Sequence, residues 1–349
     1  MKKPLLTICV LCHNSEKFIE KTLKSILSQA YSDSEIIISD NYSDDSTPEI
    51  IKHFQKDYPK IIYRRNEKPL LDDQDYIGCY ENYNTCLKSG LINGEFVAFC
   101  HDDDIYHKDV FEKQINFLIK NPEAGAVFTM VNLINNNDKI IRTTRIPKIL
   151  GKKNIHNFTE IFNALLYNGN TFLETPAFLA RKKTFETSGF FNEDRFRTSA
   201  DLEMWLRIAE KYSIGILDER LVDYRVGGGG RAYQRLRNKR SDFFSVMDYY
   251  LEKKSLAAEN KFLRQYEYQK NFDDTLLALN FLMKDDITAA KKIINQPVKL
   301  SIFLAFFENI TLKRMQVSML RIIMFLGINA GFGKYLKKIF QTLIVINRR

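Results

Sequence analysis

The sequence predicts an α/β protein with a mostly parallel sheet, helices on both of its faces, and a basic helical region behind it. Three observations carry this expectation. Apolar, β-branched runs alternate with segments of helical spacing through the first half of the chain, as in a parallel sheet fed by crossover helices. Polar clusters stand at the ends of those runs, where such sheets bind ligands. The charge is divided: residues 231–349 hold 22 of the 52 Lys/Arg but only 10 of the 43 Asp/Glu.

Each element follows in order. Residues 5–12 (LLTICVLC) form a continuous apolar run, expected as a strand buried on both faces. His13-Asn14-Ser15 stops it, and Asn14 or Ser15 can cap a helix whose apolar face is Phe18, Ile19, Leu23, Ile26 and Leu27. Residues 35–39 are the second strand, followed by the polar turn Asp40 to Asp45. Ser46-Thr47-Pro48-Glu49 opens a helix with a cap oxygen, an early proline and a first-turn acid. Residues 60–64 are a third strand and 76–89 a helix ended by Gly90. Residues 95–100 (EFVAFC) are a fourth strand running into His101-Asp102-Asp103-Asp104. A helix over 108–120, a strand over 125–134, a less regular stretch over 135–175 with a β-excursion and a short helix near 158–167, a helix over 199–212 and strands at 214–217 and 221–226 complete the region. Gly227 to Gly230 reads as a hinge, and the remainder is helical with breaks at Pro297 and Gly327 to Gly333.

The composition bounds the class. A hydrophobic fraction of 45% and a charged fraction of 27% belong to a globular protein rather than a disordered one. The boundary divides a near-neutral body, 1–230, from a basic tail, 231–349. Five cysteines at irregular spacing make no disulfide framework, and the Cys9/Cys12 pair lies on opposite faces of a strand. No leader segment is expected after Lys2-Lys3. The longest uncharged apolar stretch, Ile322 to Gly333, is about a dozen residues against the roughly 20 that a spanning helix needs, so the chain is not expected to cross a bilayer.

Three polar clusters, His13-Asn14, Asp40 to Asp45 and His101 to Asp104, are expected to converge in one crevice at the carboxyl ends of the strands. Adjacent carboxylates repel, and a divalent Mg²⁺ or Mn²⁺ ion shared with phosphate oxygens relieves the repulsion. Asp40 is either a turn former or an acceptor for a nucleobase N–H. Asp201, in Thr198-Ser199-Ala200-Asp201-Leu202-Glu203-Met204-Trp205, is either a helix N-terminal acid or a general base.

Taken together, these segments resemble the family 2 inverting glycosyltransferases with a GT-A fold. Leu6 to Asn14 is similar to the opening strand of that family. Glu35 to Thr47 is similar to its E-I-I-V-V-D-D-G-S-x-D-x-[ST] pattern, and Phe99 to Asp104 to F-L-D-x-D-D. Ser188 to Glu193, Ala200 to Arg207 and Leu221 to Arg225 resemble the later G-x-F-D-E, E-D-x-x-x-W-x-R and L-x-x-Y-R blocks, in order over residues 5–226. The resemblance implies a nucleotide-sugar donor, a UDP-sugar by expectation, and Asp201 as the catalytic base. It implies donor contacts from His13, Asp40, Asp102, Asp103 and Arg225, with Asp103 as the metal ligand. The acceptor it implies is a hydroxyl of a glycan or lipid-linked saccharide in bacterial surface polysaccharide assembly. The chain departs from the pattern at four places: His101 stands for the first acid of D-x-D, Asn41-Tyr42 for Asp-Gly, Ala200 for Glu, and no histidine follows Tyr224-Arg225.

The tail lies outside the resemblance. Its apolar runs, interleaved with Lys and Arg, fit basic helices lying in an anionic membrane surface, or equally a bundle that keeps its charges in water. The expected location is cytoplasmic, with peripheral contact at the inner face of the cell membrane as one reading. No nucleic-acid recognition motif is present. Two other functions meet counter-evidence in the sequence: a sugar nucleotidyltransferase needs a Gly-rich phosphate loop where this chain has His13-Asn14-Ser15-Glu16, and a non-catalytic scaffold has no need of Asp40, Asp103 and Asp201 together.

Overall fold

The structure is a computed structural model that describes residues 3–70, 79–226, 239–254, 260–308 and 310–346. The predicted hinge Gly227 to Gly230 and the first residues of the predicted 76–89 helix lie outside the described residues. Two compact units emerge: Met1–Leu165 with Asn170–Gln234, and Leu166–Gly169 with Arg235–Arg349.

The first unit opens with strand β1 (Leu6–Cys12), helix α1 (Ile19–Leu27), β2 (Ser34–Asp40), α2 (Thr47–Asp57), β3 (Ile61–Arg65) and α3 (Cys79–Lys88). It continues with β4 (Phe96–His101), β5 (Ile105–Tyr106), α4 (Val110–Lys120), β6 (Ala124–Ile134), β7 (Ile140–Thr143), β8 (Ile155–His156) and α5 (Phe158–Asn168). Then come β9 (Phe178–Arg181), α6 (Lys182–Ser188), α7 (Glu193–Phe196), α8 (Ala200–Ala209) and β10 (Ser213–Arg225). Among the described residues, these strands form one sheet in the order β3-β2-β1-β4-β9-β6-β10-β5, with β7 beside β6 and β8 beside β10. β1 is parallel to β2 and β4, β2 to β3, and β6 to β10. Every residue of β1 is buried, as its unbroken apolar run requires of a central strand covered on both faces.

Two strand expectations need correction. β9 carries no predicted strand, yet it lies antiparallel between β4 and β6, with Ala98 and Phe128 opposite its residues Leu179 and Phe178. Four residues hold too little periodicity to announce a strand, so only the pairing defines it. The two predicted strands at 214–217 and 221–226 are one strand. Register shifts between Leu217 and Val222 carry the polar Asp218-Glu219 outward without ending the ladder, which is the work of a β-bulge.

The expected caps also differ. Helix α1 begins after Phe18, without a side-chain cap; a backbone turn from the Ser15 carbonyl to the N–H groups of Phe18 and Ile19 starts it. The side chains of Asn14 and Ser15 turn elsewhere, as described below. Cys9 and Cys12 are both buried and point to opposite faces; the Cys9 Sγ lies 3.2 Å from that of Cys86.

The second unit is helical: α9 (Phe243–Lys253), α10 (Asn260–Met283), α11 (Ile287–Ile294), α12 (Leu300–Glu308), α13 (Leu312–Asn329) and α14 (Gly333–Ile346). Its core gathers Ala278 and Leu282 of the long helix α10 with Ala290, Ile294, Met324, Ile328 and Leu336. The breaks fall at 295–299, around Pro297, and at 330–332, after Gly327.

Candidate active site

The three polar strand ends meet. The His13 N–H donates to Asp102 Oδ2 at 2.9 Å, and its Nδ1 lies 2.7 Å from the Asn41 carbonyl. The Ser15 hydroxyl donates to the same Asp102 oxygen. Asn14 exchanges hydrogen bonds with Asp44 and takes Ser43 Oγ on its backbone N–H. β1 is hydrogen-bonded on one side to β2 and on the other to β4, so residues far apart in sequence become neighbours at the sheet's edge.

Asp40 is fully buried at the end of β2. Its Oδ1 accepts from the backbone N–H and hydroxyl of Ser43, and its Oδ2 from the Tyr63 hydroxyl at 2.7 Å. Arg65 Nε lies 3.6 Å from Oδ2. Oδ1 therefore holds the 40–43 turn, and Oδ2 ties the end of β2 to β3. Tyr42 in that turn sits at φ 61°, the left-handed conformation that glycine adopts without strain, and its half-exposed ring lies 4.3 Å from the Arg65 guanidinium.

The acidic run divides its labour. Asp102 faces His13 and Ser15, whereas His101, Asp103 and Asp104 each offer one ligand atom within 4.8 Å of the others. Asp104 is completely buried; its Oδ1 accepts the Arg225 backbone N–H at 2.7 Å, and its Oδ2 has no hydrogen-bond partner, with His101 Nδ1 3.5 Å away. Burial, with the charges of Asp104 and Asp102, pushes the Asp103 carboxyl up to about 8. Burial opposes protonation of His101, but Asp104 and its neighbouring acids outweigh it and raise the imidazole. An imidazole nitrogen, a carboxyl raised by burial and neighbouring charge, and an orphaned buried oxygen are a donor set that fits a divalent cation. His101 and Asp104 thus join the cluster in which the resemblance implies Asp103 alone as metal ligand. Only the fold of the turn, with Asp102 turned toward β1, reveals this.

Arg225 is buried and holds the turn from behind. Its Nε donates to the Asp103 carbonyl at 2.8 Å, Nη1 to the Asn135 carbonyl at 2.6 Å and Nη2 to Asp138 Oδ1 at 2.6 Å. The guanidinium also covers the Phe18 ring at 4.3 Å. Thr22 of α1 clamps the other side, its hydroxyl within 2.9 Å of the Asp102 carbonyl and 2.8 Å of the Asp104 carbonyl.

Asp201 opens α8, anchored by buried Trp205, which stacks on Phe178 with ring centroids 3.9 Å apart. Its Oδ2 accepts from the Thr175 hydroxyl at 2.7 Å and its Oδ1 from the Leu202 N–H at 2.6 Å. Burial raises its carboxyl, opposed by those two donors and by Tyr80. Glu174, absent from the sequence expectations, lies within electrostatic reach of Asp201; burial and that charge push it up to about 7. No spacing links residues 174 and 201, so sequence alone carries no signal for the pair.

The glycosyl transferase family 2 profile matches residues 7–189, more than half of the chain. The chain is 24% identical over 286 residues to an uncharacterized glycosyltransferase of Methanocaldococcus jannaschii, covering 81% of this chain and 90% of that one. It is 28% identical over 195 residues to the GalNAc(5)-diNAcBac-PP-undecaprenol beta-1,3-glucosyltransferase of Campylobacter jejuni, covering 54% and 57%. Its fold is similar to that of S. aureus TarS 1–349 in complex with UDP-GlcNAc, with a TM-score of 0.57 at 16% identity over 93% of this chain and 92% of that one. The nucleotidyltransferase and scaffold readings fall with these findings. A mixed α/β sheet of GT-A arrangement, and a family match that spans β1 to α6, make this chain a glycosyltransferase that belongs to family 2.

Proposed function

We propose that this enzyme is a metal-dependent inverting glycosyltransferase. It moves one sugar from a nucleotide-sugar, a UDP-sugar in our reading, to a hydroxyl of a glycan or lipid-linked acceptor in bacterial surface polysaccharide assembly. The catalytic domain is residues 1–230, and residues 231–349 are a separate helical domain. The observation that carries the reading is the pairing of a cation-fit cluster, His101, Asp103 and Asp104, with a half-buried, raised carboxyl at Asp201 in the same unit. The relatives support the acceptor class: the Campylobacter enzyme is named for a saccharide on undecaprenol diphosphate.

The residues act as follows. Asp201 takes the proton of the acceptor hydroxyl as its oxygen attacks the anomeric carbon from the side opposite the leaving diphosphate, which inverts that carbon. Thr175 and the Leu202 N–H keep both Asp201 oxygens aimed. Asp103 and His101, with Asp104, would hold the cation, and Mn²⁺ or Mg²⁺ bound there would supply charge that stabilises the departing diphosphate. The imidazole in the set favours Mn²⁺ over the oxygen-seeking Mg²⁺. His13 lies against the donor base, steadied by Asp102, while Asp40 shapes the turn that receives the base. Arg225 acts on the diphosphate side by fixing the Asp103 backbone. The working location is the cytoplasm, at the inner face of the membrane where a lipid-linked acceptor is presented.

Asp201→Asn tests the reading. Sugar transfer is expected to fall by about 10²–10⁴-fold. The thermal stabilisation by UDP and Mn²⁺ stays near that of the parent. Unchanged turnover in this variant removes Asp201 as the base.

A further inference from the structure

The second unit contains a helix turned the wrong way for water. On α13 (Leu312–Asn329), the buried positions include Arg314 and Arg321, while Leu312, Met315, Met319, Ile322 and Leu326 are exposed. These five recur at i, i+3, i+7, i+10 and i+14, one continuous stripe of a helix. The inward arginines are accommodated: Arg314 donates to the Ala305 carbonyl at 2.9 Å and to Gln265 Oε1 at 2.8 Å and covers the Tyr268 ring, and Arg321 donates to Thr275 Oγ1 at 3.3 Å. Burial lowers both guanidinium groups. The inner face also holds Met324 and Ile328, so the helix is apolar on both sides, and an outer stripe of leucine, methionine and isoleucine has something other than water for its partner.

The neighbouring helix repeats the pattern. On α12 (Leu300–Glu308), Leu300, Phe303 and Phe307 are 74%, 54% and 68% exposed at the same i, i+3, i+7 spacing. The segment that carries these stripes has a positive surplus, although Lys299 and Lys337 are paired with Glu267 and Asp285. Residues 287–349 hold 11 Lys/Arg and one acid, Glu308, and that acid is bonded to Arg264 and Gln265. Lys291, Lys292, Lys313 and Lys334 are exposed. A second copy laid on this face brings like charges together, whereas an anionic surface complements them. Among the described residues, no helix is long and apolar enough to cross a membrane, so an apolar stripe of this kind lies in the interface plane.

We propose that the outward stripes of α12 and α13 form a docking surface for an anionic phospholipid bilayer, into which the helices sink side-on while the lysines meet the headgroups. This deepens the membrane location given in the proposed function and does not depend on sugar transfer. The test uses the full chain with phosphatidylcholine vesicles, with and without phosphatidylglycerol. The parent cosediments with the mixed vesicles and at least about tenfold less with phosphatidylcholine alone. The triple variant Met319→Ser/Ile322→Ser/Leu326→Ser, altered only at exposed positions, loses binding by about tenfold or more. So does Lys313→Glu/Lys334→Glu, which leaves the stripe intact and guards against a folding artefact. Both variants keep the parent's circular dichroism and its UDP-dependent thermal shift, so a failed donor assay speaks to the transferase reading and not to this one. The proposal is overturned by three results: no binding to phosphatidylglycerol vesicles, binding that both variants retain, or a solution dimer that the serine variant splits, since a second copy then covers the stripe.

Discussion

The Asp201 carboxylate is an acid at the start of a helix, a place where acids are common for electrostatic reasons alone. Its surroundings separate it from that ordinary case. It is held by Thr175 from a segment 26 residues away, and burial raises it despite three hydrogen-bond donors. A donor favours the charged carboxylate, so Thr175→Ala removes a stabiliser of the base form and raises the carboxyl further. In the proposed role, Asp201 works deprotonated. The acid limb of kcat/KM against pH therefore moves to higher pH, and the activity loss at about pH 6 exceeds that at about pH 8.5. An equal loss at both ends of the profile contradicts the pairing. Asp201 was legible as a candidate from its block of residues; Thr175 and Glu174 were not, because nothing in local spacing records a contact made across the fold.

The turn after β2 shows how an element tolerates an unusual residue. Tyr42 occupies a left-handed backbone position at φ 61°, and Arg65 of β3 stacks on its ring at 4.3 Å. The same guanidinium donates to the Ser43 carbonyl at 2.7 Å, so one side chain from the neighbouring strand holds the turn in shape. Replacing Tyr42 by Ala or Gly removes the ring in both cases, but only Gly relieves the backbone. Tyr42→Gly is therefore expected to be more stable than Tyr42→Ala by about 1 kcal/mol, read from chemical denaturation. Equal midpoints count against strain in the turn. At this scale the sequence was informative for β1, β2, β4 and β6, whose apolar runs are long. It was silent for β9, four residues whose identity comes from pairing with β4 and β6.

At the scale of the whole molecule, metal and donor binding should be visible as stability. A ligand at about 100 times its Kd stabilises the folded chain by about 2.7 kcal/mol, a rise of several degrees in melting temperature. UDP with Mn²⁺ is expected to give this rise, and UDP with a chelator a smaller one. His101→Ala should abolish the advantage of Mn²⁺ over Mg²⁺, since the remaining carboxylate ligands suit both ions. If the Mn²⁺ advantage survives in that variant, His101 is not a ligand. The charge division along the chain belongs to the same scale: the site lies in the first unit, and the positive surplus in the helices of the second.

Periodicity and strand-end chemistry by themselves determined the α/β class, the convergence of His13, Asp40 and the acidic run, and the family resemblance, because hydrophobic period and local motifs are properties of neighbouring residues. Tertiary structure alone decided what each polar group faces. It turned Asp102 toward His13, brought His101 into the cation cluster, put Arg225 behind the turn as its clamp, and set Thr175 on Asp201. It also showed that α13 buries Arg314 and Arg321 beside Met324 and Ile328 and exposes the stripe from Leu312 to Leu326, where composition allowed either face to point inward. The physical reason is common to all of these: hydrogen bonding and burial are set by which segments pack together, and packing joins residues that the chain itself keeps far apart.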